Sequence, residues 1–253
     1  MEISGKTVLI TGASSGIGYS LAKLFATEKC NLALLSRRKE VLDGVAAELK
    51  NTGSNFLTIK CDVSNRQGVL DATENIIKEF GEINIAVLNS GVGGREKVKN
   101  FNSAVAENIF GVNVLGMVYC IEALLPGFIG KKSGLIVGVS SLADGRGFPE
   151  NGLYCASKAA ATKLLESFRV ELKKYNVKVL TVKPGFVKTP MTAKNNFKMP
   201  FLMGPDKAAR IIMNGIKREK RIIQFPVPTV LGAKFLKVMP EFLFEFIAAR
   251  VKS

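Results

Sequence analysis

At 253 residues, 47% of them apolar, and with no long polar or low-complexity tract, the chain can bury a sizeable core, and one α/β domain covering 1–253 is expected. It has no histidine, and its cysteines (Cys30, Cys61, Cys120, Cys155) are widely separated, which argues against a metal centre or a histidine-based triad and for free thiols in a reducing compartment. The net charge of +15 sits mostly late in the chain, with 14 Lys or Arg against 4 Asp or Glu in residues 183–253; that suits an anionic cofactor or surface, and nucleic acid is not expected because no binding motif accompanies the charge.

Residues 1–6 carry no apolar leader and pass at once into Thr7-Val-Leu-Ile-Thr, so a cytoplasmic chain without a secretory signal is expected, and no uncharged apolar run reaches the length of a membrane span. Residues 6–11 read as a strand, Thr11-Gly12-Ala13-Ser14-Ser15-Gly16-Ile17-Gly18 as a glycine turn, and Leu21, Leu24 and Phe25 as the stripe of a following helix. Glycines allow a tight turn and close backbone approach, and the helix start offers free N–H groups to a pyrophosphate. The spacing departs from the commoner G-x-G-x-x-G, and a plain loop is the alternative. A second strand, 31–36, ends in Ser36 and runs into Arg37-Arg38-Lys39. An acid at that strand end would hold ribose hydroxyls, whereas arginine suits a 2′-phosphate, so the expected cofactor is NADP (NADPH), held by Arg37 and Arg38. The basic start of a helix accounts for Arg38 and Lys39 better than for Arg37.

Residues 41–49 read as a helix and 56–61 as a strand closed by Asp62-Val63, where the carboxylate can reach an adenine or simply cap a turn. Residues 69–80 are helical, 84–88 form a strand ending in Asn89-Ser90-Gly91, and 101–125 form a long apolar helix. That helix contains Asn113, an amide costly to bury unless it is hydrogen-bonded. The run 134–140 reads as a buried strand ending at Ser141, 155–173 as a helix, 177–183 as a strand leading into Pro184-Gly185-Phe186-Val187-Lys188-Thr189, and 221–225 as a last strand. This alternation implies a doubly wound, Rossmann-type parallel sheet of about seven strands with ligands at the C-terminal strand ends. The glycine turn, Arg37, Asp62, Asn89, Ser141 and Pro184-Gly185 all fall at such ends.

Tyr154 and Lys158 stand one turn apart at the start of the 155–173 helix, and Ser141 ends the strand before it. A phenol has a pKa of about 10. A nearby ammonium is worth roughly 4 kcal/mol at about 4 Å and an effective dielectric of about 20, before solvent losses, so Lys158 together with a cofactor cation is expected to favour its ionised form. With Ser141 donating to a carbonyl oxygen and Tyr154 delivering the proton, the three make a carbonyl-reducing set. Taken alone, Tyr-x-x-x-Lys also fits a surface helix start. Cys155 beside it reads as a buried, inert thiol.

In this order the residues resemble the short-chain dehydrogenase/reductase family over about residues 5–190. Gly12, Gly16 and Gly18 meet the family's glycine motif, and its catalytic Asn, Ser, Tyr and Lys fall on Asn113, Ser141, Tyr154 and Lys158. The resemblance implies that Lys158 also holds the nicotinamide ribose, that Asn113 supports a water-linked proton relay, and that Val187 and Thr189 contact the nicotinamide carboxamide. It implies too that 190–205, rich in Met and Phe, is a lid over an apolar pocket. Leu88-Asn89-Ser90-Gly91 departs from the usual Asn-Asn-Ala-Gly but keeps Asn89. The Val-Asp-Gly-Gly-like ending of many tetrameric members, acyl-carrier-protein reductases among them, is absent.

The expected activity is NADP(H)-dependent interconversion of carbonyl and alcohol on an apolar or lipid-like small molecule. The alternatives are a sensor or scaffold that binds NADP without turnover and a 3-oxoacyl carrier reductase; a homodimer or higher homo-oligomer is expected. In residues 227–253, Phe235, Leu236, Met239, Phe242, Leu243, Phe246 and Ile247 recur at helical spacing, broken at Pro240, beside Lys234, Lys237, Arg250 and Lys252. This amphipathic segment is expected to cover the substrate entrance, its apolar face buried on the protein's own body or a second subunit, or touching an anionic membrane.

Overall fold

Short apolar runs bounded by turn residues become strands: β1 (Thr7–Thr11), β2 (Asn31–Ser36), β3 (Asn55–Lys60), β4 (Ile85–Leu88), β5 (Gly134–Val139), β6 (Val177–Pro184) and β7 (Ile222–Phe225). In the computed structural model, which describes residues 1–250, they form one parallel sheet in the order β3-β2-β1-β4-β5-β6-β7. A parallel sheet covered by crossover helices buries both faces, and β1 and β4 are accordingly buried at every residue.

The helices are α1 (Gly16–Thr27), α2 (Lys39–Leu49), α3 (Arg66–Phe80), α4 (Ser103–Phe110), α5 (Gly116–Lys131), α6 (Gly152–Glu171), α7 (Pro205–Lys217), α8 (Val227–Val238) and α9 (Glu241–Ala248). Successive strand residues point to opposite faces. On one side Val8, Ile10, Leu34 and Val182 join Leu21 and Phe25 of α1, Leu42 of α2 and Ile212 of α7 in one core. On the other, Leu9, Leu35, Leu88 and Ile136 join Ile76 of α3, Leu124 of α5 and Leu165 of α6. This is the doubly wound arrangement expected. Strand order reverses between β1 and β4, and such a switch point opens a crevice at the C-terminal strand ends.

Local structure departs from expectation in two places. The helix expected over 101–125 is two helices, α4 and α5, joined by a π-helical turn, Gly111–Leu115, that carries Asn113; it runs on to Lys131 through Pro126. Packing of Ile121, Leu124 and Phe128 on the sheet outweighs the hydrogen bond that the proline removes. By length and composition alone the stretch Ser103–Lys131 could cross a membrane, with a mean hydropathy of 1.7 in its most apolar window; in the fold it is a core element.

No element is expected between 190 and 220, yet α7 forms there. Its Ala208, Ala209, Ile212, Met213 and Ile216 recur at helical spacing and are all buried, with Pro205 in the first turn. It packs against α1, where Ser20 donates to Asp206 (2.7 Å) and Lys23 pairs with the same carboxylate (3.2 Å).

The C-terminal segment presents two stripes: Val230, Met239 and Phe244 pack inward, while Val227, Leu231, Phe235 and Val238 of α8 and Phe242 and Phe246 of α9 are exposed on this chain. Residues 251–253, including Lys252, lie outside the described residues.

The cysteines are free and buried. Burial pushes the Cys30 and Cys61 thiols up to about 11 and Cys120 up to about 12, and it raises Cys155 as well, in keeping with an inert thiol beside Tyr154.

Candidate active site

The parallel register brings the functional strand ends level: Thr11 lies opposite Leu35, Leu88 opposite Gly138 and Val139 opposite Val182. Thr11 and Asn89 then stitch β1 to β4. The Thr11 hydroxyl oxygen accepts from the N–H groups of Asn89 (3.0 Å) and Ser90 (3.1 Å), and the Asn89 amide donates to the carbonyls of Thr11 (3.1 Å) and Gly12 (3.2 Å). Thr11 is a functional residue that its sequence context, the last residue of an apolar strand, does not announce.

The glycine turn is shaped by this stitch. Gly12 has φ +65°, and a Cβ there would lie 3.0 Å from the Asn89 amide nitrogen; Gly16 has φ +58° and would press a Cβ to 2.8 Å from Thr189 Cγ2. A Cβ on Gly18 would collide with the Gly12 carbonyl oxygen, so α1 can approach β1 only with glycine there. Ser15, at the N-cap of α1, gives no side-chain cap, which leaves the amides around Gly16, Ile17 and Gly18 to a ligand.

The next strand end is equally specific. Buried Ser36 accepts from the Arg38 N–H (3.1 Å) and closes the turn after β2. Arg38 reaches back to donate to Ser14 of the glycine turn (3.0 Å), a placement that a plain helix start does not require. Arg37 is largely exposed, with its guanidinium 4.0 Å from Asp62. Burial works to raise the Asp62 carboxyl, but the hydrogen bonds from Ser64 and the Arg37 charge hold it below the usual range. Val63 beside it is buried. A cradle that any side chain would fill, an open helix start and two arginines fit a phosphate-bearing dinucleotide.

Across the crevice, α6 begins at Gly152, so Tyr154 lies in its first turn and Lys158 one turn further on. The buried Lys158 ammonium donates to the carbonyl of Val139 at the end of β5 (3.1 Å) and stands 5.8 Å from the centre of the Tyr154 ring. Ser141, two residues after β5, accepts from the Ala143 N–H (3.1 Å). From the sequence, Lys158 is expected to depress the phenol's pKa. Instead burial raises Tyr154, the Ser141 hydroxyl pulling the other way without prevailing, and burial also lowers Lys158 to about 8. Desolvation favours neutral phenol and neutral amine alike, although at about 8 the amine still carries its proton at neutral pH.

Asn113 is 1% exposed and fully engaged: it accepts from the Val92 N–H (2.8 Å) and donates to the Val92 carbonyl (2.9 Å) and the Ser157 hydroxyl (3.0 Å), which itself donates to the Tyr154 carbonyl (2.7 Å). Both amide hydrogens are used, so the side chain ties the loop after β4 to α6. A Cβ on Gly91 would lie 3.3 Å from both Asn113 Oδ1 and Lys158 Nζ, which makes Gly91 the gap through which the three elements converge.

After Pro184, the Gly185 N–H donates to the Phe225 carbonyl (2.8 Å), Val187 is buried, and the Thr189 N–H donates to the Thr192 hydroxyl (2.9 Å). Segment 190–205 folds back so that Met203 exchanges backbone hydrogen bonds with Phe186 and Lys188. Phe197 packs edge-on to Phe186 (5.9 Å between ring centres), and Arg95, from the loop after β4, lies over Phe197 (5.3 Å) while pairing with Glu150 (2.8 Å). Arg146 donates to the Leu236 (2.9 Å) and Met239 carbonyls at the end of α8, and Phe148 meets Phe244 of α9 edge-on (5.8 Å). The C-terminal segment thus docks on the loop between Ser141 and Tyr154.

Asn89→Ala deletes the amide that holds the Thr11 and Gly12 carbonyls. It should lower unfolding stability by about 1–3 kcal/mol in a urea titration; an unchanged midpoint and slope would contradict the stitching role.

Comparison with known proteins places these features in context. A family model described as short chain dehydrogenase matches residues 6–199. An uncharacterized oxidoreductase of Myxococcus xanthus (strain DK1622) is 36% identical over 251 residues, covering 99% of each chain. An NADP-dependent 3-hydroxy acid dehydrogenase of Schizosaccharomyces pombe is 31% identical, covering 88% of this chain and 91% of the other. Among solved structures, a short chain dehydrogenase/reductase from Burkholderia phymatum in complex with NAD is 23% identical and superposes with a TM-score of 0.86 over 93% of this chain and 94% of that one, a likeness of fold.

Proposed function

The chain belongs to the short-chain dehydrogenase/reductase family and is an oxidoreductase, and from that premise we propose that it interconverts a carbonyl and an alcohol on an apolar small molecule with NADP(H). The observation that carries this is the meeting of Ser141, Tyr154 and Lys158 at the sheet end that also holds the glycine cradle.

Gly12, Ser14, Ser15, Gly16, Ile17 and Gly18 hold the pyrophosphate, Arg37 and Arg38 the 2′-phosphate, and Asp62 and Val63 flank the adenine. Asn89, Gly91, Pro184, Gly185, Val187 and Thr189 line the nicotinamide end. When bound, the nicotinamide carries the hydride. Ser141 orients the carbonyl oxygen by donating a hydrogen bond, and Tyr154 gives that oxygen its proton, or takes it back in the oxidative direction. A phenol raised by burial is protonated at neutral pH, which is the form a donor needs. Lys158, with a pKa of about 8, stands next in line to return the proton and to hold the ribose. Asn113, its side chain committed to Val92 and Ser157, contributes to a relay through its main chain.

An intact proton donor favours turnover over a sensor or scaffold role. The NADP choice rests on Ser36, Arg37 and Arg38 and agrees with the name of the fission yeast relative, whereas the Burkholderia structure holds NAD. The substrate class rests on segment 190–205, the lid, whose Met191, Phe197, Phe201 and Leu202 are partly or largely exposed beside the site. The missing family ending weighs against an acyl-carrier substrate. In this proposal one domain, 1–253, carries both functions in a reducing cytoplasmic setting, as a homo-oligomer. The exposed stripe of α8 and α9, with Lys234, Lys237 and Arg250 near it, supports peripheral contact with an anionic membrane.

Tyr154→Phe should bind NADPH as the wild type does yet lose most turnover on an apolar ketone; full activity would remove Tyr154 from the mechanism. The wild type should prefer NADPH to NADH, and Arg37→Ala and Arg38→Ala should each raise the KM for NADPH by about 10-fold while barely changing that for NADH. Equal use of both cofactors, or faster reduction of small 3-oxo acids than of apolar ketones, would refute the cofactor and substrate assignments respectively. Flotation with anionic vesicles should carry the protein at low salt and release it at high salt, and absence of flotation would leave the stripe to a subunit contact.

A further inference from the structure

Next to Ser141 and Lys158 lies a polar chain that the mechanism does not use. Ser141 begins a short turn that ends at Asp144. The Asp144 carboxylate pairs with Lys183 of β6 (2.6 Å), the two side chains being only 11% and 14% exposed, and the same oxygen accepts from the Thr162 hydroxyl (2.6 Å). Thr162 lies one turn beyond Lys158, so Tyr154, Lys158 and Thr162 share one face of α6. Its hydroxyl meets that of Ser140 (2.7 Å), and Ser140 donates to the Lys158 carbonyl (2.9 Å) and receives no slack from its backbone, whose N–H donates to Val182 of β6 (2.8 Å).

We propose that Asp144 and Lys183 are positioning residues for the reaction: their ion pair, with Thr162, fixes the turn carrying Ser141 against both the helix carrying Tyr154 and Lys158 and the strand that leads into the cofactor loop at Pro184. The proposal rests on Ser141, Tyr154 and Lys158 being the reacting set. Its physical basis is economy of contact. Ser141 sits on a turn, not on a regular element, with β5 leading into it and α8 and α9 packed on the loop beyond it. A single carboxylate oxygen that binds an ammonium from β6 and a hydroxyl from α6 removes the freedom of that turn to slide along α6. Taking a carboxylate and an ammonium out of water is costly, and a well-packed apolar pair in their place is commonly as stable. A buried ion pair at this spot is therefore better accounted for by geometry than by stability.

The test is steady-state kinetics on the full chain with NADPH and an apolar ketone. Asp144→Asn keeps the shape and the contact to Thr162 but loses the ion pair; kcat should fall by about 10- to 100-fold, the loss expected of a misplacement on the order of 1 Å, with KM for NADPH within about twofold of the wild type. Lys183→Gln should show the same split, and Lys183→Arg should recover most of the rate. In Ser141→Ala, adding Asp144→Asn should cost little more, because the group being positioned is already gone. Should either ion-pair variant fail to fold, Thr162→Val, which removes the hydroxyl's contacts to Asp144 and Ser140 but keeps the ion pair, carries the same expectation in smaller degree. Wild-type kcat in Asp144→Asn, or additive losses in the double variant, would overturn the proposal. Full activity in Tyr154→Phe would instead overturn the reacting set on which it rests, so the two failures are told apart.

Discussion

Everything at this site depends on how the end of β4 is tied to the end of β1. Two parallel strands at a switch point leave a crevice between diverging loops, and loops without a shared constraint would wander relative to one another. Asn89 and Thr11 supply that constraint with four hydrogen bonds, each using a group that the sheet leaves unpaired at its edge. The glycines follow from it. Gly12 must be left-handed and side-chain-free because the Asn89 amide lies over it, and Gly18 must be bare because the carbonyl of Gly12 points at it. The same loop, two residues on, presents Gly91 to Asn113 and Lys158, so one stitch ties the glycine turn to the place where those two side chains meet.

The chemistry is governed by burial as much as by charge. Tyr154 is raised and Lys158 lowered by the same loss of water, which moves apart a phenol and an amine whose ordinary values differ little. In the proposed mechanism a phenol kept protonated, with a second titrating group behind it at about 8, is suited to proton transfer in either direction. Asn113 adds order to this arrangement without titrating: its amide joins Val92 to Ser157 and so holds α6, and with it Tyr154, against the loop after β4.

Much of this is legible in the sequence because strand periodicity, turn residues and family order agree: the glycine turn, Arg37, Asp62, Asn89 and Ser141 read at strand ends, Tyr154 and Lys158 one turn apart on a helix, and the sheet has the expected seven strands. What was not legible depends on contact between distant segments. The reach of Arg38 to Ser14 and the pairing of Asp144 with Lys183 join residues that no local pattern relates. The pKa of Tyr154 depends on how much water the fold removes, which spacing does not report. The α7 helix is a different case: Ala208, Ala209, Ile212, Met213 and Ile216 spell an apolar stripe that helical spacing alone could have revealed. The C-terminal stripe shows the converse limit, since amphipathic spacing identifies a face but not what covers it, and α8 and α9 bury one stripe while exposing another.

The most direct measurement is the fate of a label. With NADPH deuterated at both C4 positions of the nicotinamide ring and an apolar ketone as acceptor, mass spectrometry and NMR of the alcohol should find one deuterium on the carbinol carbon and none on the hydroxyl oxygen once it is exchanged with solvent. Oxidation of NADPH without deuterium in the alcohol, or tight binding of NADPH with no alcohol formed from any carbonyl offered, would contradict hydride transfer at the Ser141, Tyr154 and Lys158 site.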